Sequence, residues 1–208
     1  MRLPLLPLAS AACAVALLAG CGSQDTSSGE PDVISTTPKS TTEPATAAPD
    51  CPEGLEGGGG KKGRASITPA TREPRLGTVE GAWLCTYHPV PGGEQKGGKT
   101  YAWGLEGERS DVPADLIPAV NDAVAGLSLP GPDQPCTLEL GPRDLLLVRT
   151  PDGVVGVQVD RFGCHDVRLT SAPGDALAGT TTDLGTVTGF LAPGDALVDL
   201  VDGLTAGS

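Results

Sequence analysis

Hydrophobic and polar positions alternate with a period of two through several stretches of this chain, and that period belongs to strands. In "GAWLCTYHP" the alternation puts Trp83, Cys85 and Tyr87 on one face, and in "TYAWGLEG" it does the same for Tyr101, Trp103 and Leu105. These two stretches are expected to pair across the connection "VPGGEQKGGK". The clearest hairpin is "DLLLVRTPDGVVGVQVD", where Pro151-Asp152-Gly153 supplies a turn and the glycine accepts a positive φ. Its second arm alternates Val155, Val157 and Val159 inward with Gly156, Gln158 and Asp160 outward. "CTLEL" and "CHDVRL" read as two further strands.

The period changes to 3.6 in two places. "ADLIPAVNDAVAGL" sets Leu116, Ile117, Val120, Val124 and Leu127 on one helical stripe, with Asp115 as N-cap and Gly126 as the stop. Pro118 then falls in the first turn, where its missing N–H costs little. "PGDALVDLVDGL" turns Leu197, Leu200, Val201 and Leu204 inward and Asp199 and Asp202 to water. The hexapeptide "APGDAL" occurs at 172–177 and at 192–197, and in both places it reads as a Pro-Gly turn leading into an Asp-capped helical turn. The expected fold class is α+β: a mostly antiparallel sheet of about five or six strands with one or two packed helices.

The first fifty residues have neither period. Arg2 precedes an apolar run, Leu3 to Leu18, broken by prolines and Ser10, which has the length of a secretory signal and is too short to span a bilayer. The run ends in Leu18-Ala19-Gly20-Cys21, which resembles the lipobox of bacterial lipoproteins. That resemblance implies a leader at 1–20, a mature chain starting at Cys21, and a lipid on the Cys21 thiol holding the chain to the outer face of the cytoplasmic membrane. Residues 21–50 are Ser, Thr, Pro and Ala with scattered charge, a composition that cannot bury enough apolar surface to offset its ordering entropy. They are expected to form a disordered stalk spanning about 30 Å as a coil and about 90 Å if stiffened into polyproline geometry. The folded part is then one domain, 51–205.

Export decides the chemistry of the later cysteines. Cys13 leaves with the leader, and Cys51, Cys85, Cys136 and Cys164 remain, an even number that in an oxidising compartment reads as two disulfides. Of the three possible pairings, Cys51 with Cys85 and Cys136 with Cys164 keeps each bridge within one half of the domain. Each would close a loop of about thirty residues and contribute roughly 3 to 4 kcal/mol on the chain-entropy estimate. Such staples matter here because the chain holds only six aromatic residues, two each of Trp, Tyr and Phe. No Cys-x-x-Cys or His-x-x-His spacing occurs, so no metal and no cofactor is expected.

Beyond the lipobox, a cysteine-headed "CPEG", the aromatic-flanked "WLCTY" and "PDGVVGVQVDRFGCHDV" together resemble a group of actinobacterial secreted lipoproteins of uncharacterised function. The resemblance covers 51 to about 170 and its motifs specify strands, turns and bridges. It implies an exported, stapled, membrane-anchored domain and carries no activity with it.

Charge narrows the partners. The formal net charge is -12, and losing Arg2 with the leader makes it -13. Such a chain is repelled by nucleic acid, so none is expected as a partner. Lys61, Lys62, Arg64, Arg72 and Arg75, opposed by Glu73, form the nearest thing to a basic patch and read as a solvated loop. "EGLEGGGGKKGRAS" fails as a phosphate loop, because Leu55 stands where the first glycine is required and Lys62 where a Ser or Thr is required. "FGCHDV", residues 162–167, looks like a catalytic triad, but alternation along a strand would send Cys164 and His165 to opposite faces. The reading is a monomeric, non-catalytic binding or interaction module at the cell envelope, held by the lipid on Cys21 and facing an envelope protein or polymer. The alternative is a secreted cell-wall hydrolase using paired carboxylates.

Overall fold

The structure is a computed structural model, and it describes residues 47–55, 68–95, 98–131 and 140–206. A six-stranded antiparallel sheet has the order β1-β3-β2-β4-β5-β6, with strands β1 (Gly54–Leu55), β2 (Gly81–Gln95), β3 (Gly98–Asp111), β4 (Arg143–Thr150), β5 (Gly153–Asp160) and β6 (Val167–Thr170). A short 3-10 turn, Ala114–Leu116, leads into helix α1 (Ile117–Ala125), and helix α2 (Asp195–Ala206) follows the last strand. The expected α+β class is therefore the observed one. "CTLEL" falls almost wholly outside the described residues.

One face of the sheet is aliphatic. Ala82 and Leu84 of β2, Leu146 and Val148 of β4, Val155, Val157 and Val159 of β5, and Val167 and Leu169 of β6 are buried there. Val120, Ala123 and Val124 of α1 and Leu197, Val198 and Val201 of α2 close over them. Leu116, Ile117, Leu200 and Leu204 pack at the margin of the same cluster, so both helical stripes point where their spacing predicts. Asp115, however, lies in the 3-10 turn and caps nothing; the residue before α1 is Leu116, with no side-chain cap.

The other face is mixed. Trp83, Cys85, Tyr87, Trp103, Leu55, Leu145 and Leu147 form a second buried cluster. The chain enters the domain across this face. Arg109 donates to the carbonyls of Ala48 (3.3 Å) and Pro49 (2.8 Å), Arg149 donates to that of Ala47 (2.7 Å), and the Tyr87 hydroxyl donates to that of Pro52 (2.9 Å). The Cys51–Cys85 disulfide fixes the same segment, with a Cα–Cα distance of 5.8 Å. Burial pushes the Tyr87 phenol well above its ordinary value, so it stays a donor.

The β2–β3 hairpin is longer than the alternation predicts, its arms reaching Gln95 and Gly98 through most of the expected connection. Among the described residues, β4 pairs with β2 over 81–87 and no strand pairs with that edge of β2 beyond Tyr87. Pro89 and Pro91 stand there, paired with Trp103 and Tyr101. A proline has no N–H for the ladder, so both are tolerated only where that donor is not needed for pairing. At the far edge, Leu191 exchanges backbone hydrogen bonds with Val167 at 2.8 and 3.0 Å and covers β6.

Two expectations need correcting. Gln158 does not face water, being 3 % exposed and opposite Leu145 and Arg168, and Asp160 is only partly exposed, its carboxylate turned to Arg143 and Arg168. The two "APGDAL" copies also differ. The second opens α2, as read; the first forms a turn, with the Asp175 and Ala176 N–H groups donating to the Ala172 carbonyl and Gly174 at φ 89°. Gly156 leaves room for that first copy, since a side chain there would meet Thr170, Leu145 and Pro173. The same six residues therefore cover the mixed face once and the aliphatic face once.

Candidate functional site

An extended strap, 71–78, crosses the layer that covers the aliphatic face, and nothing periodic in its sequence marks it. Two devices hold it. At one end Asn121 of α1 acts as an amide clamp: the Val79 N–H donates to its Oδ1 at 2.8 Å, and its Nδ2 donates to the Val79 carbonyl at 3.1 Å. In the middle the Arg75 N–H donates to the Gly185 carbonyl at 2.9 Å. Gly185 belongs to a type I′ turn in which Leu184 and Gly185 have φ 52° and 78°, closed by the Thr186 N–H donating to the Asp183 carbonyl. A Cβ at Gly185 would collide with the Arg75 carbonyl, so only glycine lets the strap come this close. Leu184 bears the unfavourable left-handed conformation because its side chain packs on the aliphatic core.

The strap separates two clefts. The larger, of about 690 Å³, lies between Arg72, Glu73 and Arg75 on one side and Thr182, Gly185, Thr186 and Val187 on the other, with Leu129 at its rim. The smaller, of about 420 Å³, runs between the strap and α1 and is lined by Glu73, Asn121 and Asp122 among others. Both volumes lie within the range of small-ligand sites. Arg72, Arg75 and Leu129 are exposed, the last at 42 %, while Thr186 and Val187 are buried. The Thr186 hydroxyl is used internally, donating to the Asp183 carbonyl at 2.8 Å. The arginines read from sequence as a solvated loop thus line a formed cleft; Lys61, Lys62 and Arg64 lie outside the described residues.

Three other constellations are candidates for chemistry. In "FGCHDV" the strand begins only at Val167; the preceding residues form a turn with His165 at φ 51°. His165 has an acid partner from a distant element, since its Nδ1 lies 2.6 Å from Oδ1 of Asp195, the first residue of α2. Asp166 faces Arg168 instead, at 3.2 Å. Cys164 is disulfide-bonded, so no thiol is free to act as nucleophile.

On the mixed face, the Asp160 carboxylate bridges two buried guanidiniums, Arg143 Nε at 2.6 Å and Arg168 at 3.0 Å. The Arg143 guanidinium also lies 3.5 Å from the centre of the Trp103 ring, whose Nε1–H donates to the Gly141 carbonyl at 3.1 Å. Burial lowers the Arg143 pKa, and the charge of Asp160 opposes that shift. With Arg143, Asp166 and Arg168 at 5 % exposure or less, this network is out of reach of a substrate. The same holds for Asp144, which is fully buried and accepts a 2.8 Å bond from the Thr86 hydroxyl. Burial raises its carboxyl pKa against the opposing effects of Thr86, Arg161 and His88.

Of the residues singled out from sequence, Cys51 and Cys85 are joined as expected. Cys21, and Cys136 as the expected partner of Cys164, lie outside the described residues. Among the described residues no group of three His, Cys, Asp or Glu side chains is placed to hold a metal ion, and no helix is long and apolar enough to cross a membrane. No protein family, no curated protein and no solved structure matches this chain.

Proposed function

We propose that this chain is a lipid-anchored lipoprotein of the extracytoplasmic membrane face, whose domain is a monomeric, non-catalytic binding module for an envelope protein or polymer. The carrying observation is the placement of its two sides. The incoming segment 47–52 is latched to the mixed face, and both clefts lie in the layer over the aliphatic face. The described chain therefore enters the domain on the sheet face opposite the clefts. The Cys51–Cys85 bridge supports export, because such bonds persist in oxidising compartments. We further assign Cys164 to Cys136, the pairing that keeps the second bridge within one half of the domain.

Crosslinking in intact cells followed by capture of the full-length protein tests the binding role. A specific envelope component is expected, and a protein recovered alone would overturn it. Cys21→Ala is expected to release the protein into the medium, and continued membrane retention contradicts the lipid anchor. One observation favours the second reading, a carboxylate hydrolase: Glu73 and Asp122 line the same smaller cleft. Turnover of cell-wall polymer that disappears in both Glu73→Gln and Asp122→Asn would support it, and absence of turnover in the native protein removes it.

A further inference from the structure

Acids outnumber bases in this chain by 26 to 14, so a guanidinium seldom has to go without a partner. Arg109 meets Asp50 and Asp111, Arg143 meets Asp160, Arg161 meets Asp144 and Asp202, and Arg168 meets Asp160 and Asp166. Arg149 lies over the Trp83 ring and holds the Ala47 carbonyl. Arg72 and Arg75 differ: among the described residues neither side chain has an ion-pair, hydrogen-bond or ring partner, and both line the 690 Å³ cleft. Glu73 is the one carboxylate among the lining residues described, so that described lining carries a formal charge of +1, two arginines less one glutamate. Thr182 adds an exposed hydroxyl, and Leu129 adds an exposed apolar surface.

Building on the binding-module reading, we infer that this cleft takes a ligand with a singly charged oxyanion, a carboxylate or a phosphodiester, attached to an apolar segment. The charge of +1 matches a monoanion. The planar guanidinium fork matches both oxyanions with paired N–H donors. The apolar segment lies against Leu129, and the Gly185 turn keeps the strap, and Arg75 with it, in place as the wall of the cleft.

The test is titration of the folded protein with hexanoate, dibutyl phosphate and hexanol, followed by the amide resonances of Gly185 and Thr186. Saturable shifts with one or both anions and none with hexanol are expected. Binding of hexanoate alone identifies the carboxylate, and binding of dibutyl phosphate alone the phosphodiester. Arg72→Gln and Arg75→Gln are each expected to weaken binding about tenfold, the size of a charge-assisted contact. Both side chains are exposed, so unchanged urea unfolding should accompany the loss, and Thr182→Val gives a smaller loss in an intact fold. No binding by either anion, equal binding of hexanol, or unchanged binding in the double arginine variant would overturn the inference. A protein that captures an envelope component in cells yet ignores both anions keeps the binding role and loses this site; one that does neither loses both.

Discussion

The two faces of the sheet are held by different chemistry. The aliphatic face is closed by side chains of similar kind from β-strands and two helices, so its stability is a matter of volume. The mixed face has a smaller cluster, supplemented by one disulfide, a latched segment and an Arg–Asp network in which Asp160 serves two arginines. Removing a methylene disturbs the first; removing a charge disturbs the second. The difference locates where a small domain with six aromatics gains what its apolar core lacks.

The largest effect is expected from Asp160→Ala, which removes the carboxylate shared by the buried Arg143 and Arg168 and should cost about 4 kcal/mol in urea unfolding. The near-isosteric Asp160→Asn should recover little of it, because shape is not what is lost. Opening the Cys51–Cys85 bridge, as Cys51→Ala/Cys85→Ala, should cost about 3 to 4 kcal/mol for a separation of 34 residues. On the aliphatic face Leu146→Ala should cost about 3 kcal/mol, whereas Leu146→Met, which conserves volume, should cost less than about 1.5 kcal/mol. A Leu146→Met as damaging as Asp160→Asn would erase the distinction. The smallest effect is Arg149→Ala, about 1 kcal/mol, since one hydrogen bond and one ring contact are lost at a partly exposed side chain.

Asp144 sharpens the comparison through pH, because it puts an ionisable group on the aliphatic face. Its raised pKa means that the folded state holds the proton more tightly than the unfolded chain. The stabilisation is full below the unfolded value of about 4 and is lost as pH rises through the raised folded value. Asp144→Asn should flatten that portion of the stability curve, read as urea midpoints across a pH series. Parallel curves for the two proteins would contradict it.

Alternation made the strands legible, and the burial of Val155, Val157 and Val159 followed from it directly. It could not show what covers the opposite face. Gln158 and Asp160 read as outward because a polar residue on an alternating strand ordinarily faces water, and their partners, Arg143 and Arg168, stand on neighbouring strands. The surroundings of His165 are illegible for a related reason: its acid is 30 residues away, and its left-handed backbone leaves no mark in composition. The strap was legible only as a loop. Its cleft comes from an amide clamp and a glycine turn contributed by elements 42 and 110 residues further along the chain. The repeated "APGDAL" teaches the same lesson, since identical capping chemistry became a helix start only where Val198 and Val201 follow it as buried residues.

The most direct test of the account is alkylation of the protein taken from intact cells, before and after reduction, read cysteine by cysteine by mass spectrometry. Export and a covalently fastened mixed face together predict that Cys51 and Cys85 are modified only after reduction. Free thiols at both positions in the folded protein would contradict them.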